Sequence, residues 1–272
     1  MLVKTSSDIT LNVIDEGKGP AVLLIHGFPD DHSVWRKQIP VLVAKGYRVI
    51  APDMRGCGAS DMAHKVSAYH LRYLSADLVA LLDALGLDRV PVIGHDWGAV
   101  IGWHFAMHYP QRVTRYAALS VGHPMAYARG GLEQKLKGWY TIAFQFRYLI
   151  EAVLRACNWK VFRFLTRQPD ETDRWIERLR QPGRLTAAIS YYRSNLGLLW
   201  PRKCPPVTVP VLGVFSDGDH FLSEKQMRDS GRYCQNGWRY VRIDGASHWL
   251  QLEAPDRVNA LLLDFLQNGV RS

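Results

Sequence analysis

Cysteine is scarce in this sequence and follows no metal or disulfide pattern. The four residues form no CxxC pair and no metal-ligand spacing with a histidine cluster; they are Cys57, Cys157, Cys204 and Cys234. The sequence therefore predicts neither a zinc site nor a disulfide-stapled scaffold, and we expect no metal. Unpaired thiols in a reducing compartment are the simpler interpretation.

Long hydrophobic runs are also missing. The first eight residues contain no apolar h-region, so we expect no secretory signal. No uncharged apolar run approaches the roughly 18 residues that a membrane-spanning helix needs. Internal repeats and low-complexity tracts are absent as well. We therefore predict a cytoplasmic protein without a membrane span.

What the sequence does contain is a local excess of positive charge. The 272 residues carry a formal charge of +9, and 47% of them are hydrophobic, which suits a globular protein. Residues 125–205 hold 15 Lys plus Arg against 6 Asp plus Glu, and 13 of the 30 aromatic residues. No basic recognition helix or stacking motif accompanies this charge, so we expect no nucleic-acid partner. Such a segment can tune the field over a site, bind weakly to anionic surfaces, or keep aromatic residues soluble, and the last is the simplest interpretation.

Short aliphatic runs mark the strands of an α/β fold. Runs of about five apolar residues without alternation are typical of strands buried on both faces of a parallel sheet. Helix-length segments between such runs imply right-handed βαβ crossovers. The runs lie at residues 21–25, 48–52, 89–93, 113–121, 209–215 and 240–243.

Helical patterns fill the spaces between these runs. Leucines recur at three- and four-residue spacing at positions 74, 78, 81, 82 and 85, which predicts an amphipathic helix. A closing helix is predicted over residues 254–266. Residues 125–205 contain no buried strand run and are predicted to be mostly helical, for example from Leu136 to Ala156. We therefore predict a core domain of residues 1–124 and 206–272, interrupted by a helical cap segment, residues 125–205.

The most specific motif is Gly-His-Asp-Trp-Gly at residues 94–98, between a predicted strand and a predicted helix. Strand, G-x-nucleophile-x-G, helix is the arrangement of a nucleophile elbow, and here the central residue is Asp96 instead of serine. The alternative interpretation is a plain glycine-bounded turn in which Asp96 is the N-cap of the helix.

A second motif, His-Gly-Phe-Pro at residues 26–29, directly follows the first aliphatic strand. In the elbow architecture this loop supplies one oxyanion donor and the residue after the nucleophile supplies the other. These donors are predicted to be the backbone N–H groups of Phe28 and Trp97. His26 is interpreted as a hydrogen-bonding residue of the loop and not as a catalyst.

The acid and the base are expected after the last two strands. Asp219 follows the run at residues 209–215, and His248 follows the run at residues 240–243. Open α/β sheets place their active sites at the carboxyl ends of the strands, and the order nucleophile, acid, histidine is the one the elbow architecture uses. Asp217 is the alternative acid, but Asp219 lies further into the loop.

These motifs together resemble the α/β-hydrolase superfamily and, within it, the epoxide hydrolases. Besides residues 26–29 and 94–98, the loop Asp-Met-Arg-Gly-Cys-Gly-Ala-Ser at residues 53–60 matches the family pattern. The resemblance covers almost the whole chain. It implies a mostly parallel eight-stranded sheet covered by helices, with a helical cap inserted after the sixth strand.

The resemblance also assigns residues of the cap. Tyr192 and Tyr140 match the positions of two proton-donating tyrosines, with Tyr191 and Tyr148 as the nearby alternatives. Each of these tyrosines could instead be an aromatic residue packed in the cap core. The remaining residues expected to contact substrate are His26, Pro29, His123, Phe144 and Trp249.

The implied reaction is the hydrolysis of an aryl or alkyl epoxide to a vicinal diol through an ester on Asp96. A carboxylate is anionic at neutral pH and can attack a saturated carbon directly, whereas a serine hydroxyl would first have to lose its proton. The departing alkoxide needs a proton donor, which a tyrosine supplies. We expect no cofactor, a small-molecule epoxide as the partner, and a monomer or homodimer.

Two alternatives remain open from the sequence. A haloalkane-type dehalogenase resembles this core and uses the same Asp, His and Asp, but it commonly has Asn after the His-Gly pair, where this chain has Phe28. Fluoroacetate-type dehalogenases carry Arg after the nucleophile, where this chain has Trp97. A non-catalytic ligand receptor on the same fold would not need Asp96, Asp219 and His248 together.

Overall fold

The structure, a computed structural model, describes residues 1–5, 9–201 and 203–270. One eight-stranded sheet runs through the molecule, in the order β1-β2-β4-β3-β5-β6-β7-β8. Its strands are β1 Leu2–Lys4, β2 Thr10–Glu16, β3 Ala21–Ile25, β4 Arg48–Pro52, β5 Val90–His95, β6 Val113–Leu119, β7 Val211–Ser216 and β8 Trp238–Ile243.

Most of the sheet is parallel. The pairs from β4 through β3, β5, β6 and β7 to β8 are all parallel, whereas β1 pairs antiparallel with β2, and β2 pairs antiparallel with β4. The predicted mostly parallel eight-stranded sheet is therefore confirmed. The apolar runs did not reveal β1 and β2, because β2 alternates buried Leu11 and Val13 with half-buried neighbours instead of forming a continuous apolar run.

Helices cover both faces of this sheet outside the cap segment. The predicted amphipathic helix is α2, and its leucines at positions 74, 78, 81 and 82 are fully buried. Helix α3 has little amphipathic character because it is buried almost all round. These helices are α1 Ile39–Ala44, α2 Leu71–Ala84, α3 Trp97–His108, α10 Glu224–Arg228, α11 Leu250–Glu253 and α12 Pro255–Asn268.

Between β6 and Trp200 all the elements that the structure describes are helical. The insertion thus follows the sixth strand, as expected, while the division into two domains stays a prediction. The helices are α4 Pro124–Ala128, α5 Gly131–Lys137, α6 Tyr140–Ala143, α7 Leu149–Thr166, α8 Pro169–Leu179 and α9 Arg184–Ser194.

The stretch from Leu136 to Ala156 is mostly helical, as predicted, but it is divided among α5, α6 and α7. Helix α5 ends at Lys137, and residues 144–148 form turns before α7 begins. Tyr148 adopts a φ of 66°, which a right-handed helix cannot continue through. Further along, the non-helical backbone at residues 156–159 interrupts α7 itself.

The loops that carry the predicted site residues of the core all lie at one edge of the sheet. Strands β3, β5, β7 and β8 end at Ile25, His95, Ser216 and Ile243. Because parallel strands share their carboxyl ends, the loops that follow them meet in space. Across the described residues, no helix is both long enough and apolar enough to cross a membrane.

Candidate active site

Asp96 occupies a strained turn between β5 and α3. Its backbone has φ 52° and ψ −122°, a combination that non-glycine residues rarely adopt. A Cβ on Gly94 would lie 2.4 Å from the carbonyl oxygen of Gly98, and a Cβ on Gly98 would lie 2.0 Å from that of Ile25. Only glycine fits both positions, so the motif permits the turn by removing side chains. Asp96 does occupy the N-cap position of α3, a helix described in full, but its carboxylate makes no capping hydrogen bond to that helix.

One oxygen of Asp96 is held by the loop after β3. The Phe28 N–H donates to Asp96 Oδ1 at 2.7 Å. A Cβ on Gly27 would lie 2.4 Å from the same oxygen, so this close approach also requires glycine. Trp97 is the first residue of α3, where backbone N–H groups have no partner inside the helix. The two predicted oxyanion donors therefore belong to residues that directly adjoin Asp96.

The other oxygen of Asp96 faces a histidine. His248 Nε2 lies 3.4 Å from Asp96 Oδ2, and His248 Nδ1 lies 2.8 Å from Asp219 Oδ2. Asp219 Oδ1 accepts hydrogen bonds from the N–H groups of Phe221 at 2.8 Å and Leu222 at 3.0 Å. Asp96, His248 and Asp219 are all buried and form one connected chain.

The alternative acid lies elsewhere. Asp217 Oδ1 accepts a hydrogen bond from the Gly245 N–H at 2.8 Å, and its Oδ2 lies 3.3 Å from Arg242. Asp217 is exposed, whereas Asp219 is 2% exposed and contacts the histidine. The structure therefore brings Asp219, and not Asp217, to His248.

Interactions among Asp96, His248 and Asp219 set the protonation states of Asp96 and His248. Burial by itself raises the pKa of Asp96, but the hydrogen bond and charge of His248 hold that pKa below its ordinary value. Burial lowers the pKa of His248, and the carboxylates of Asp219 and Asp96 more than offset this and raise it to about 10. At neutral pH an Asp96 carboxylate thus faces a His248 imidazolium.

Two tyrosines of the cap segment share the cavities that Asp96 lines. The rings of Tyr140 on α6 and Tyr192 on α9 have centroids 5.9 Å apart and meet edge to face. Tyr192 also packs against Trp97, with ring centroids 5.0 Å apart. Burial raises the pKa of both hydroxyls well above the ordinary tyrosine value, so both stay protonated at neutral pH.

The two alternative tyrosines do not lie at this position. The Tyr191 hydroxyl donates to the carbonyl oxygen of Arg55 at 2.7 Å. Tyr148 is 72% exposed. The geometry therefore places Tyr192 and Tyr140 beside Asp96, and it gives Tyr191 a structural hydrogen bond between the cap segment and the core.

Two cavities meet at Asp96, Tyr140 and Tyr192, which line both of them. The larger encloses about 650 Å³ and is walled mainly by aliphatic side chains, among them Val100, Val121, Leu196, Leu198 and Leu222. The smaller encloses about 560 Å³ and is walled mainly by aromatic and aliphatic residues, including Phe28, Pro29, Phe144, Phe162, His248 and Trp249. Of the expected substrate contacts, Pro29, Phe144 and Trp249 therefore face this space.

The other two expected contacts lie away from it. His26 accepts a hydrogen bond from the Met54 N–H at 2.9 Å, and its Nδ1 lies 2.9 Å from Gly27 O. The His123 ring stacks on Tyr233 with centroids 4.5 Å apart. Neither residue is among the described residues that line the two cavities. Both histidines are buried parts of the scaffold, so the geometry does not support them as substrate contacts.

Sequence reasoning missed Asp30, a buried carboxyl group beside the site. It accepts a hydrogen bond from the Trp175 indole N–H at 2.9 Å and from the Trp249 indole N–H at 3.0 Å. Trp175 belongs to α8 of the cap segment, whereas Trp249 lines the smaller cavity. Burial raises the pKa of Asp30 to about 8 against the effect of the two indoles. Two consecutive acidic residues directly after the His-Gly-Phe-Pro motif were the only available signal.

Three residues of types that can bind a metal ion lie close together near the loop after β3. Atoms of Asp31, His32 and Asp53 lie within 4.8 Å of one another. However, Asp53 Oδ1 already contacts the His32 N–H and Nδ1, and Oδ2 accepts hydrogen bonds from Asn12 and Ala59. The oxygens of Asp53 are thus engaged within the protein, and we assign no metal to this group.

Comparison with known proteins places the chain in a family. The sequence pattern described as alpha/beta hydrolase fold matches residues 20–255. Epoxide hydrolase A from Mycobacterium tuberculosis is 33% identical over 97% of this chain and 96% of its own length. The chain belongs to the α/β-hydrolase superfamily and, within it, to the epoxide hydrolase family.

Further similarities support this family assignment. The AB hydrolase superfamily protein YfhM from Bacillus subtilis is 34% identical over 97% of this chain and 96% of its own length. The crystal structure of the Bacillus megaterium epoxide hydrolase in complex with an inhibitor superposes with a TM-score of 0.89 at 26% identity, covering 98% of this chain and 100% of that chain. The predicted α/β-hydrolase fold and the prediction of a hydrolase are thereby confirmed.

Proposed function

We propose that this chain hydrolyses an aryl or alkyl epoxide to a vicinal diol through a covalent ester on Asp96. One observation carries the proposal: the Asp96 carboxylate has the His248–Asp219 pair on one side and shares its cavities with two protonated tyrosines. The relatives that are named as epoxide hydrolases point to the same class of substrate.

The first step opens the epoxide. Phe28 holds Asp96 Oδ1, so Oδ2 is the oxygen that attacks a ring carbon. A new C–O bond forms to Asp96, and the ring C–O bond breaks with its electron pair going to the ring oxygen. Tyr140 and Tyr192 donate hydrogen bonds to this oxygen, and one of them transfers its proton to give the hydroxyl group.

The second step needs a neutral histidine, and the first step creates one. Ester formation removes the negative charge of Asp96, which is one of the two carboxylates that raise the pKa of His248. With a lowered pKa, His248 releases its proton, which returns through solvent to the tyrosinate. The imidazole can then act as a general base, oriented by the hydrogen bond to Asp219.

Hydrolysis of the ester completes the cycle. His248 takes a proton from water, and the resulting hydroxide attacks Cγ of Asp96. Negative charge develops on Oδ1, the oxygen to which the Phe28 N–H already donates. A second donor from Trp97, at the start of α3, would complete the oxyanion hole. The ester C–O bond at Cγ then breaks, and the departing alkoxide takes the proton of the newly added hydroxyl group and leaves as the diol. The Asp96 carboxylate and the His248 imidazolium are thereby restored.

The walls of the cavities favour an apolar substrate. Aliphatic and aromatic side chains surround the reacting groups, and polar groups are concentrated at Asp96, the tyrosines and His248. Such a pocket stabilises hydrocarbon substituents by removing them from water. An aryl or alkyl epoxide therefore fits better than a highly polar one.

The proposed steps use only side chains, backbone N–H groups and water. No metal or organic cofactor enters them, and we assign no nucleic-acid partner. The four cysteines are unpaired, which suits the reducing cytoplasm as the location. The chain would act there as a monomer or a homodimer.

The test offers the protein a styrene-type epoxide and a 1-haloalkane side by side, with diol and halide measured separately. We expect diol from the wild type and none from Asp96→Ala, because Asp96 is the only carboxylate among the described residues that line the two cavities. Halide release without diol would instead assign the dehalogenase alternative. Binding of the epoxide with neither product would assign the receptor alternative.

A further inference from the structure

Exposed apolar side chains are concentrated on the cap segment. Ten of the twelve large hydrophobic residues that are exposed in the described chain belong to residues 132–200. The other two are Met1 and Leu2, at the start of the chain. A soluble domain scatters such residues singly over its surface, so a concentration of this kind indicates an interaction site.

Seven of these residues follow a helical spacing through α5, α6 and α7. They recur every three or four positions, which puts neighbours on the same side of each helix. Backbone hydrogen bonds continue past the helix ends: Gly138 N to Gln134 O follows α5, and Ile150 N to Phe146 O lies at the start of α7. The seven residues, called the cap face below, are Leu132, Leu136, Trp139, Ile142, Phe146, Leu149 and Val153.

Positive charge accompanies the cap face. Residues 129–167 contain eight Lys plus Arg and only two acidic residues, Glu133 and Glu151. Glu151 is buried and paired with Arg193, so it offers no exposed negative charge. Four exposed cations form no ion pair within the described part of the chain: Lys135, Arg147, Arg155 and Lys160.

We propose that the cap face binds the surface of an anionic lipid bilayer. Apolar side chains interleaved with free lysines and arginines are the chemistry of an interfacial helix, whose apolar residues enter the headgroup region while its cations contact lipid phosphates. This docking lies flat on the membrane and needs no spanning helix.

Charge argues against a second copy of this chain as the occupant. Two cap faces meeting in a dimer would bring two segments of the same positive sign together, and the one exposed acid in residues 129–167 of each, Glu133, already lies 3.4 Å from Lys137 of its own chain. An anionic bilayer supplies the opposite charge and an apolar interior at the same time.

The cap face also continues into the substrate space. Trp139 is 54% exposed and at the same time lines the smaller cavity together with Phe144 and Leu165. Bilayer contact at the cap face would therefore bring lipid to the border of that cavity. Binding to lipid does not require the proposed reaction, so the two proposals can fail separately.

The experiment measures sedimentation of the full chain with vesicles of pure phosphatidylcholine and of phosphatidylcholine mixed with phosphatidylglycerol. We expect binding to the mixed vesicles at low salt and its loss at high salt. Reversal of three cap charges, Arg147→Glu with Arg155→Glu and Lys160→Glu, should weaken partitioning by about tenfold or more. Phe146→Ser with Leu149→Ser should also release the protein.

Matched controls come from the core. Lys45→Glu with Lys65→Glu and Arg257→Glu makes the same charge change on exposed core residues, and Leu2→Ser removes an exposed apolar residue there. These core variants should bind the mixed vesicles about as well as the wild type does. Thermal unfolding should be unchanged in the core variants and in the cap variants. Equal losses in the core and cap triples would overturn the proposal, since they would show only a response to net charge.

Two further results would also contradict the proposal that the cap face binds a bilayer. One is that the wild-type protein does not bind the mixed vesicles at low salt. The other is a dimer in analytical ultracentrifugation that Phe146→Ser with Leu149→Ser converts to monomer, which would assign the cap face to a second copy of this chain.

Discussion

His248 Nε2 lies 3.4 Å from Asp96 Oδ2, and this contact couples the charge of the base to the state of the nucleophile. In the free protein both Asp219 and Asp96 raise the pKa of His248, to about 10. Conversion of Asp96 to an ester removes one of these two carboxylates. In the proposed reaction, formation of the ester on Asp96 would therefore convert His248 from an acid into a base.

Removal of the histidine should separate the two chemical steps. In His248→Gln the Asp96 carboxylate and both tyrosines remain, so epoxide opening should continue while hydrolysis stops. Mass spectrometry after incubation with a styrene-type epoxide should show the substrate mass added to the peptide that contains Asp96. If the peptide stays unmodified while the wild type turns over, a covalent route through Asp96 is wrong.

The raised pKa of His248 should appear in the pH dependence of stability. Its ordinary pKa is 6.5 and its folded value is about 10, so its stabilising contribution is full below pH 6.5 and is lost as pH rises through 10. Between these values the unfolding free energy should fall by up to about 1.4 kcal/mol per pH unit from this group alone. Denaturant unfolding across this pH range should show a shallower slope for His248→Gln than for wild type.

The two tyrosines should matter for ring opening and not for folding. Tyr140→Phe with Tyr192→Phe removes both proton donors and should slow ester formation by about 10²-fold or more. Stopped-flow or quenched single-turnover measurements give this rate directly. Tyr148→Phe is the control at an exposed position, and it should leave the rate near that of wild type.

The acid can be tested against its neighbour two residues away. Asp219→Ala removes the partner of His248 Nδ1 and should lower kcat by about 10²–10⁴-fold. Asp217→Ala makes the same chemical change at an exposed carboxylate that contacts Arg242 and Gly245. Steady-state diol formation should be nearly unaffected in this control; equal losses would contradict the assignment of Asp219.

Asp30 should contribute to stability because it joins the cap segment to the core. Asp30→Ala leaves the indole N–H groups of Trp175 and Trp249 buried without their acceptor, which should lower the unfolding free energy by about 2 kcal/mol or more. Trp175→Phe removes only one of these donors. In combination with Asp30→Ala its effect should be less than additive, since the two residues share one hydrogen bond.

The sequence predicted which residues of the core meet at the candidate site, because the position of each is set by local order. Asp96, Asp219 and His248 follow the parallel strands β5, β7 and β8, and parallel strands bring their carboxyl ends together whatever the details of the helices. The cap tyrosines depended on a resemblance, which assigned Tyr192 with Tyr191 as the alternative, and of these two the structure places Tyr192 in the cavities that Asp96 lines. The two neighbours differ by one position on α9, and only packing decides which ring faces the cavity.

Long-range contacts and backbone interruptions were the features that the sequence could not supply. Trp175 lies 145 residues from Asp30, and no local pattern links a tryptophan to a distant carboxyl group. The break between α6 and α7 depends on the positive φ of Tyr148, a residue type that usually continues a helix. His26 and His123 were expected to contact substrate, but the structure places both outside the described lining of the two cavities, because a polar residue near a motif can serve the scaffold.

The two cavities meet at Asp96, Tyr140 and Tyr192, and this arrangement fixes what controls selectivity in the proposed reaction. An epoxide held between the carboxylate and the tyrosines directs the substituent of one ring carbon into the aliphatic cavity and that of the other into the aromatic cavity. Exchange of the two substituents presents the opposite carbon to Asp96. In the proposed reaction, regiochemistry and enantiopreference would therefore depend on the cavity walls, and substitutions there would alter them without changing Asp96, His248 or the tyrosines.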